Sequence, residues 1–284
     1  MLEAVISSQL SRAVPAEVQA IAREVAAARP GVVAVLAYGS CLRGVPTAES
    51  LIDLYVLTED LDGVSGSALA RMGCRLAPPN VHYVETEHDG QTCRAKYAIL
   101  PIAQFRSWMT ADNPYFWARF AQPSRLVMSS NHKAREEVVA AIAHAVRTML
   151  AAARSVAPGE SDALQLWTSG FAATYGTELR VETALRARSI VMAEPAYYTE
   201  AADAAGEVAP MAGSWALRRL KGKLWSVARL FKAAFTFSGG AEYLAWKIER
   251  HSGHKVELSE WQKRHPVIAG LVLLPQLLWR GTVR

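Results

Sequence analysis

The sequence predicts an α+β fold in which a small mixed sheet comes first, a helical segment follows, and a basic amphipathic tail ends the chain. Short apolar and β-branched runs bounded by turn residues occur before residue 102, which is typical of strands. Beyond that residue the pattern is mainly helical. Basic residues gather at the end. The predicted domains are residues 1–101, 102–214 and 215–284.

Each element is predicted from its local pattern. A helix is expected where Pro15 precedes an amphipathic run, and strands where short apolar or β-branched runs have turn residues at their flanks. Asp89-Gly90 predicts the turn of a hairpin. The predicted helices are Ala16–Ala28, Lys133–Ala153 and Asp162–Arg188. The predicted strands are Val32–Tyr38, Leu51–Leu57, Val81–Thr86 and Ala95–Leu100, and an alanine-rich connector is expected over Glu194–Gly213.

Composition excludes several classes of protein. With 51% hydrophobic and 20% charged residues, the 284-residue chain has globular rather than disordered composition. Its three cysteines, Cys41, Cys74 and Cys93, form no C-x-x-C pair, which argues against a disulfide framework or a zinc site. We expect no secretory signal and no ordinary transmembrane helix, because no run of 18 apolar residues occurs.

The sharpest motif is a strand that ends in Gly39 and Ser40, followed by a second strand that carries Asp53. Glycine lets the backbone approach a triphosphate, and a serine hydroxyl with nearby amides can hold phosphate oxygens. An aspartate on the neighbouring strand can bind Mg²⁺. This arrangement is the pattern of the polymerase-β-type nucleotidyltransferases. The alternative is a tight turn followed by an aspartate that caps a strand edge.

One position departs from that pattern. Most of the superfamily has Asp-x-Asp on the second strand, and here Tyr55 stands in place of the second aspartate. The change indicates either an inactive protein or a family that takes its second metal ligand from elsewhere.

Several segments occur in the order found in one family. The chain resembles the mitochondrial translocator-maintenance proteins, which are phosphatidate cytidylyltransferases, and their bacterial relatives. The resemblance covers residues 36–195, and that family also has a single aspartate on the second strand. The matching segments are Tyr38-Gly39-Ser40, Asp53-Leu54-Tyr55-Val56, Glu59-Asp60, Lys96-Tyr97-Ala98-Ile99, Tyr115 to Pro123 and Tyr175 to Arg180. The chain is shorter than the mitochondrial members between the acidic pair and the Lys-Tyr strand.

The resemblance implies a function and a set of site residues. It implies transfer from CTP to phosphatidic acid, giving CDP-diacylglycerol and pyrophosphate with Mg²⁺ as cofactor. It places Mg²⁺ on Asp53, with Lys96 and Arg119 as further catalytic residues. The implied nucleotide-binding residues are Tyr38, Gly39, Ser40, Gln122, Glu178 and Arg180.

Simpler roles stay open for some of these residues. Lys96 could be a solvated residue of a strand edge, and Gln122 could be a hydrogen-bonding residue at a helix end. Glu178 and Arg180 could form an ordinary ion pair. The acidic pair Glu59-Asp60 is more simply a solvated loop.

The tail suggests a membrane partner. From Trp215 to Arg284 there are 13 Lys and Arg against 4 Asp and Glu, a net charge of +9, while the first 214 residues carry −4. Apolar side chains recur there at spacings of three and four, with basic ones between them, as in helices that lie in a membrane interface. The predicted membrane-binding residues are Arg218, Arg219, Lys221, Lys223, Trp225, Arg229 and Lys232.

These features together predict a peripheral membrane protein on the cytoplasmic face of the inner membrane, bound to an anionic membrane surface. Nucleic acid is not expected, since no recognised binding module accompanies the charge. The alternative for the tail is an apolar stripe packed on the body with a solvated charged face. Two other functions stay open: a nucleotidyltransferase for another lipid phosphate or a soluble acceptor, and a catalytically silent membrane-binding protein.

Overall fold

The computed structural model describes residues 1–42, 51–177 and 184–236 with residues 239, 240, 243 and 246, and at residues 40, 184, 230, 234 and 235 it describes the backbone alone. Within these ranges the chain is α+β, with five strands in one mixed sheet, which confirms the predicted fold class at this level. The strands are β1 (Val32–Tyr38), β2 (Leu51–Thr58), β3 (Asn80–His88), β4 (Gln91–Pro101) and β5 (Ser124–Ser129). The helices are α1 (Leu2–Leu10), α2 (Ala16–Ala27), α3 (Ala68–Leu76), α4 (Ile102–Trp108), α5 (Trp117–Phe120), α6 (His132–Val156), α7 (Ala163–Tyr175), α8 (Ala184–Val191), α9 (Pro195–Ala205) and α10 (Trp215–Thr236).

The strand order across the sheet is β3-β4-β2-β1-β5. β2 and β4 are parallel, and every other pair is antiparallel. The parallel pair needs a crossover connection, which α3 and β3 supply. The predicted strands and the hairpin turn are confirmed. β5 was not predicted, because its six residues, Ser124–Ser129, have no apolar alternation and are recognisable only by their pairing with β1.

Helix α2 packs on one face of the sheet, where it contacts all five strands. At its C-terminal end Arg29 Nη2 donates to Tyr97 Oη over 3.1 Å. Since neighbouring residues on a strand point to opposite faces, Lys96 beside Tyr97 points to the face away from α2. The candidate site lies on that second face.

The helical half contains both confirmed and missed elements. α6 and the first part of the predicted Asp162–Arg188 helix are present, but α7 ends at Tyr175, immediately before Gly176. α9 was missed, since its alanine-rich sequence was interpreted as a connector. Its N-terminal Pro195 suits a first helical turn, and burial of Tyr197 and Tyr198 stabilises it.

α6 is long and apolar enough to cross a membrane by length and composition. However, 61% of its most apolar window is buried inside the fold, and it packs against α1, α5 and α7. Burial of α6 among these helices explains its apolar composition.

The amphipathic tail begins with α10, which is docked on the body along its length. Arg218 is 6% exposed, and its Nε lies 2.9 Å from Asp112 Oδ1. A Cβ on Gly222 would lie 2.5 Å from the carbonyl oxygen of Thr177, so the glycine permits close helix contact. The ring of Trp225 meets that of Trp108 edge-on at a centroid distance of 5.7 Å. The tail beyond residue 246, which contains the apolar run Val267–Trp279, lies outside the described residues.

Candidate active site

Strand register places the sequence motifs in one row across the sheet. Asp53 is the partner of Tyr38 on β1 and of Lys96 on β4. Directly paired residues point to the same face, so the three side chains lie together on the face away from α2. Lys96 Nζ is 3.8 Å from Asp53 Oδ1, and both side chains are about one quarter exposed (27% and 24%). Two residues far apart in the chain therefore form one partly solvated ion pair.

Gly39 brings the backbone against this ion pair. Its φ is +84°, and a Cβ built on it would lie 3.3 Å from Asp53 Oδ2. The left-handed conformation and the close approach both favour glycine. Ser40 follows in a 3₁₀ turn over Gly39–Leu42, and its side chain lies outside the description. The predicted Gly-Ser motif thus brings its backbone within contact distance of the predicted metal ligand.

Arg119 approaches from α5. Its guanidinium carbon is 5.1 Å from the ring centroid of Tyr38 and 5.3 Å from that of Tyr115, which is cation–π range. Burial, reinforced by the Asp53 charge, raises the pKa of Tyr38 well above its ordinary value, and Arg119 opposes that shift. At neutral pH Tyr38 is therefore a neutral phenol beside the Asp53 carboxylate.

These residues border a cavity of about 340 Å³ between the sheet and α10. Its described lining has four basic side chains and no acidic one, and Asp53 is adjacent through Lys96. A concave surface with this charge balance suits a polyanionic ligand. The lining residues are Tyr38, Tyr55, Pro79, Val81, Lys96, Ala98, Tyr115, Arg119, Ser226, Arg229, Lys232, Ala233 and Thr236.

Five lining residues belong to α10, a helix that the sequence assigned to the membrane. Arg229 lies over the ring of Tyr115, with its guanidinium carbon 3.6 Å from the centroid. Lys232 Nζ donates to the carbonyl oxygens of Ala77 and Pro79 over 2.6 and 2.5 Å. No local signal in the sequence shows that this helix returns to the sheet, so these contributions to the cavity were missed.

The predicted membrane residues divide by position on α10. Arg219, Lys221 and Lys223 are exposed, while Arg218 is buried and Trp225, Arg229 and Lys232 are half-buried against the body. The outward face also carries apolar side chains with exposed fractions of 50–70%. These are Leu217, Leu220, Leu224, Val227 and Phe231. The apolar stripe therefore does not pack on the body, contrary to the alternative considered from the sequence.

Tyr55 occupies the place of the superfamily's second aspartate. It is 1% exposed, and its ring packs edge-on against Tyr38, Phe116 and Phe120 at centroid distances of 5.3, 6.1 and 4.8 Å. Burial raises its pKa well above the ordinary value. Tyr55 is thus a neutral part of the aromatic core and does not supply the charge of a carboxylate.

The described side chains that could coordinate a metal ion suit Mg²⁺ only in part. Among the residues that the structure describes, no group of three or more His, Cys, Asp or Glu side chains could hold a metal ion. Asp53 offers one carboxylate on the cavity side of the sheet. Magnesium is often held by one or two carboxylates together with the phosphates of a nucleotide. Asp53 could therefore hold Mg²⁺ together with further oxygen ligands such as those of a bound phosphate.

The other predicted site residues lie away from the cavity or outside the described residues. Gln122 Nε2 donates to the carbonyl oxygen of Ala118 over 3.1 Å, so it has the helix-end hydrogen bond that was the alternative for it, and it also lies near Gly39. Asp60 accepts from the backbone amides of Asp62 and Gly63 in a turn. Glu178 and Arg180 lie outside the described residues.

No protein-family model matches the chain, and a search of curated proteins found no match either. The family resemblance in the motifs stays a prediction. In the described part of the chain, the geometry defines a basic cavity with a glycine turn and the Asp53 carboxylate beside it and an amphipathic helix as its wall.

Proposed function

We propose that this protein is a magnesium-dependent nucleotidyltransferase of the polymerase-β type that converts CTP and phosphatidic acid to CDP-diacylglycerol and pyrophosphate at a membrane surface. The observation that carries the proposal is the cluster of Gly39, Asp53 and Lys96 beside a cavity lined by basic side chains. Selection of cytosine rests on the resemblance to the translocator-maintenance family.

The reaction suits a site that positions and neutralises two polyanions. An oxygen of the phosphatidate phosphate attacks the α-phosphorus of CTP. A new phosphorus–oxygen bond forms as the bond from the α-phosphorus to the bridging oxygen breaks, and pyrophosphate leaves with that electron pair. Phosphate is already a nucleophile at neutral pH, so orientation and electrostatic stabilisation are the main requirements.

Each residue has a role in that step. The backbone at Gly39 and Ser40 holds triphosphate oxygens, and Asp53 would hold the magnesium ion. The ion supplies charge neutralisation at the phosphates. Lys96 acts as a point charge beside Asp53, and Arg119 offers two parallel N–H groups to a phosphate.

A membrane location agrees with the outward face of α10. That face carries a row of exposed apolar side chains next to Arg219, Lys221 and Lys223. Such a face suits insertion at headgroup depth, and each basic residue near an anionic surface contributes about 1 kcal/mol. We propose that α10 places the protein on the cytoplasmic face of the inner membrane.

The test is a turnover assay with purified protein, Mg²⁺, each NTP in turn and phosphatidic acid in mixed micelles. CTP-specific release of pyrophosphate with a CDP-lipid product is expected. If pyrophosphate is released only with a different acceptor, that acceptor takes the place of phosphatidic acid as the proposed substrate.

A silent membrane-binding protein is the second candidate, and Tyr55 favours it because a buried ring replaces a carboxylate. Thermal unfolding with and without Mg²⁺ and CTP separates the two. An enzyme should gain thermal stability from the nucleotide, and a silent scaffold should not.

A further inference from the structure

We propose that Arg229 of α10, together with Arg119, forms a subsite for the phosphate of the lipid acceptor, separate from the triphosphate site at Gly39 and Asp53. The inference rests on the proposed function and deepens it. It assigns to the inner face of α10 a role in binding the acceptor, in addition to the role of its outer face at the membrane.

Two guanidinium groups approach one aromatic ring in the cavity. The guanidinium carbon of Arg229 lies 3.6 Å from the ring centroid of Tyr115, and that of Arg119 lies 5.3 Å from the same centroid. Arg229 Nη2 also donates to Ser226 Oγ over 3.4 Å. Stacking on the ring fixes the planes of the guanidinium groups, and the planar fork of arginine matches phosphate oxygens. Both arginine side chains line the same cavity.

Lys232 lies one turn further along α10 but serves a different purpose. Its Nζ donates to the carbonyl oxygens of Ala77 and Pro79 and to Asn80 Oδ1, the last over 3.1 Å. A lysine ammonium has three donors, so these bonds use all of them. Lys232 therefore fastens α10 to the body and leaves phosphate binding to Arg229.

The two faces of α10 have different surroundings. Arg229 faces the cavity, and Val227 and Phe231, two residues away on either side, are 53% and 70% exposed. Two residues correspond to about 200° around a helix, so these side chains lie on the opposite side. In the proposed reaction the acceptor is a lipid phosphate, and the apolar side chains that line the same cavity as Arg229 can receive the carbon chain next to its phosphate; these are Pro79, Val81, Ala98 and Ala233.

The test uses dihexanoyl phosphatidic acid, a water-soluble acceptor, so that membrane docking does not affect the result. Arg229→Met and Arg229→Lys are compared with Arg147→Met, which removes one charge from an exposed position on α6. We expect Arg229→Met to raise the KM for the acceptor about tenfold or more, since hydrogen bonds to charged groups are lost, and Arg229→Lys to raise it less. The dissociation constant for CTP and the thermal stability should stay close to wild type. An unchanged acceptor KM, or an equal loss of CTP affinity, would overturn the subsite.

A binding measurement separates this inference from the proposed function. Calorimetric titration with dihexanoyl phosphatidic acid, without nucleotide, is carried out on the wild type and on the Arg229 variants. Binding that is lost in Arg229→Met, weakened less in Arg229→Lys and kept in Arg147→Met supports the subsite even if no NTP turns over. Equal binding by wild type and Arg229→Met, in a protein that does release pyrophosphate from CTP, would remove the subsite and leave the enzyme assignment standing.

Discussion

Asp53 and Lys96 face each other across two parallel strands, with 3.8 Å between Oδ1 and Nζ. A pair this exposed contributes little to stability. Its value lies in position, because it holds a carboxylate and an ammonium next to the Gly39 backbone at one side of a basic cavity. Single substitutions here should therefore change ligand binding more than folding.

Asp53→Asn is expected to lower turnover by about a thousandfold or more while the melting temperature stays within about 2 °C of wild type. The amide keeps the shape of the side chain but loses the charge that metal binding requires. Pyrophosphate release and thermal unfolding measure the two effects. Asp89→Asn is the matched control, since Asp89 is 91% exposed at the hairpin turn. Normal turnover in Asp53→Asn would contradict the site.

Gly39→Ala and Gly90→Ala make a second matched pair. Both glycines have positive φ, +84° and +75°, so each alanine should cost about 1 kcal/mol of folding free energy. Only at Gly39 would the added Cβ approach Asp53 Oδ2, at 3.3 Å, whereas nothing lies within 4 Å of it at Gly90. We expect both variants to be less stable in urea, and only Gly39→Ala to lose affinity for CTP. Equal CTP affinity in both would refute the close-approach argument.

Lys232 should make stability depend on pH. Burial lowers its pKa from the ordinary 10.5 to about 8; Cys74 on α3 opposes that shift and Arg229 adds to it. Between pH 8 and 10.5 the unfolded chain binds more protons than the folded protein, so this residue raises the free energy of unfolding as the pH rises. Below about pH 8 the cost of the buried charge is present in full.

Urea unfolding of wild type and Lys232→Met at pH values from about 7 to 10 measures this effect. The same comparison is made in a Cys74→Ala background, because Lys232 lowers the pKa of the Cys74 thiol and its removal would change the titration of that thiol. The wild type should gain stability relative to the variant across the window. A constant difference between the two proteins would show that Lys232 does not titrate there.

At the level of elements, α10 has two different faces. Its inner face is fixed to the body through Arg218, Gly222 and Lys232, and its outer face exposes an apolar stripe. The amphipathic period was visible in the sequence, and the helix is confirmed. The period gives no information about which side meets the body, because basic side chains can be buried when they find carbonyl or carboxylate partners.

Replacing the outer stripe should weaken membrane binding alone. Leu220 and Leu224 are 58% and 61% exposed, so changing both to glutamine should leave stability within about 0.5 kcal/mol of wild type. Co-sedimentation with vesicles of phosphatidylcholine and phosphatidic acid should fall about tenfold or more, since insertion of each leucine contributes about 1.5–3 kcal/mol.

Leu185→Gln on α8, where the side chain is 78% exposed, is the control for a general loss of surface apolarity. Turnover with dihexanoyl phosphatidic acid should be unchanged in the double variant. Vesicle binding equal to that of wild type would exclude the stripe as the membrane contact.

At the scale of the whole molecule, α10 completes a cavity that begins on the sheet. Lys96 and Arg119 come from the first two thirds of the chain, and Arg229 and Lys232 come from α10. Removing residues from 215 onward would therefore take away one wall of the cavity as well as the helix proposed to contact the membrane. If α10 were instead a detachable membrane anchor, its removal would leave the cavity intact.

Hydrogen exchange distinguishes these two arrangements. Amides of residues 218–232 should exchange far more slowly than those of an isolated helix, because buried contacts hold α10 to the body along its length. Gly222→Val should speed their exchange, since a Cβ there would lie 2.5 Å from Thr177 O. Mass spectrometry of peptides from α10 and β4 provides the comparison. Complete exchange of α10 within seconds in the wild type would contradict docking.

The sequence by itself determined the elements whose signals are local: β1 and β2, the hairpin turn at Asp89-Gly90, α2, α6 and the amphipathic period of α10. It also singled out Gly39, Asp53, Lys96 and Arg119, the last two through the resemblance. The tertiary structure alone decided that β4 pairs in parallel with β2, that β5 joins the sheet, and that α10 closes the cavity. Periodicity and turn chemistry act between residues near in the chain, whereas register and docking depend on contacts between distant residues, which no local pattern encodes.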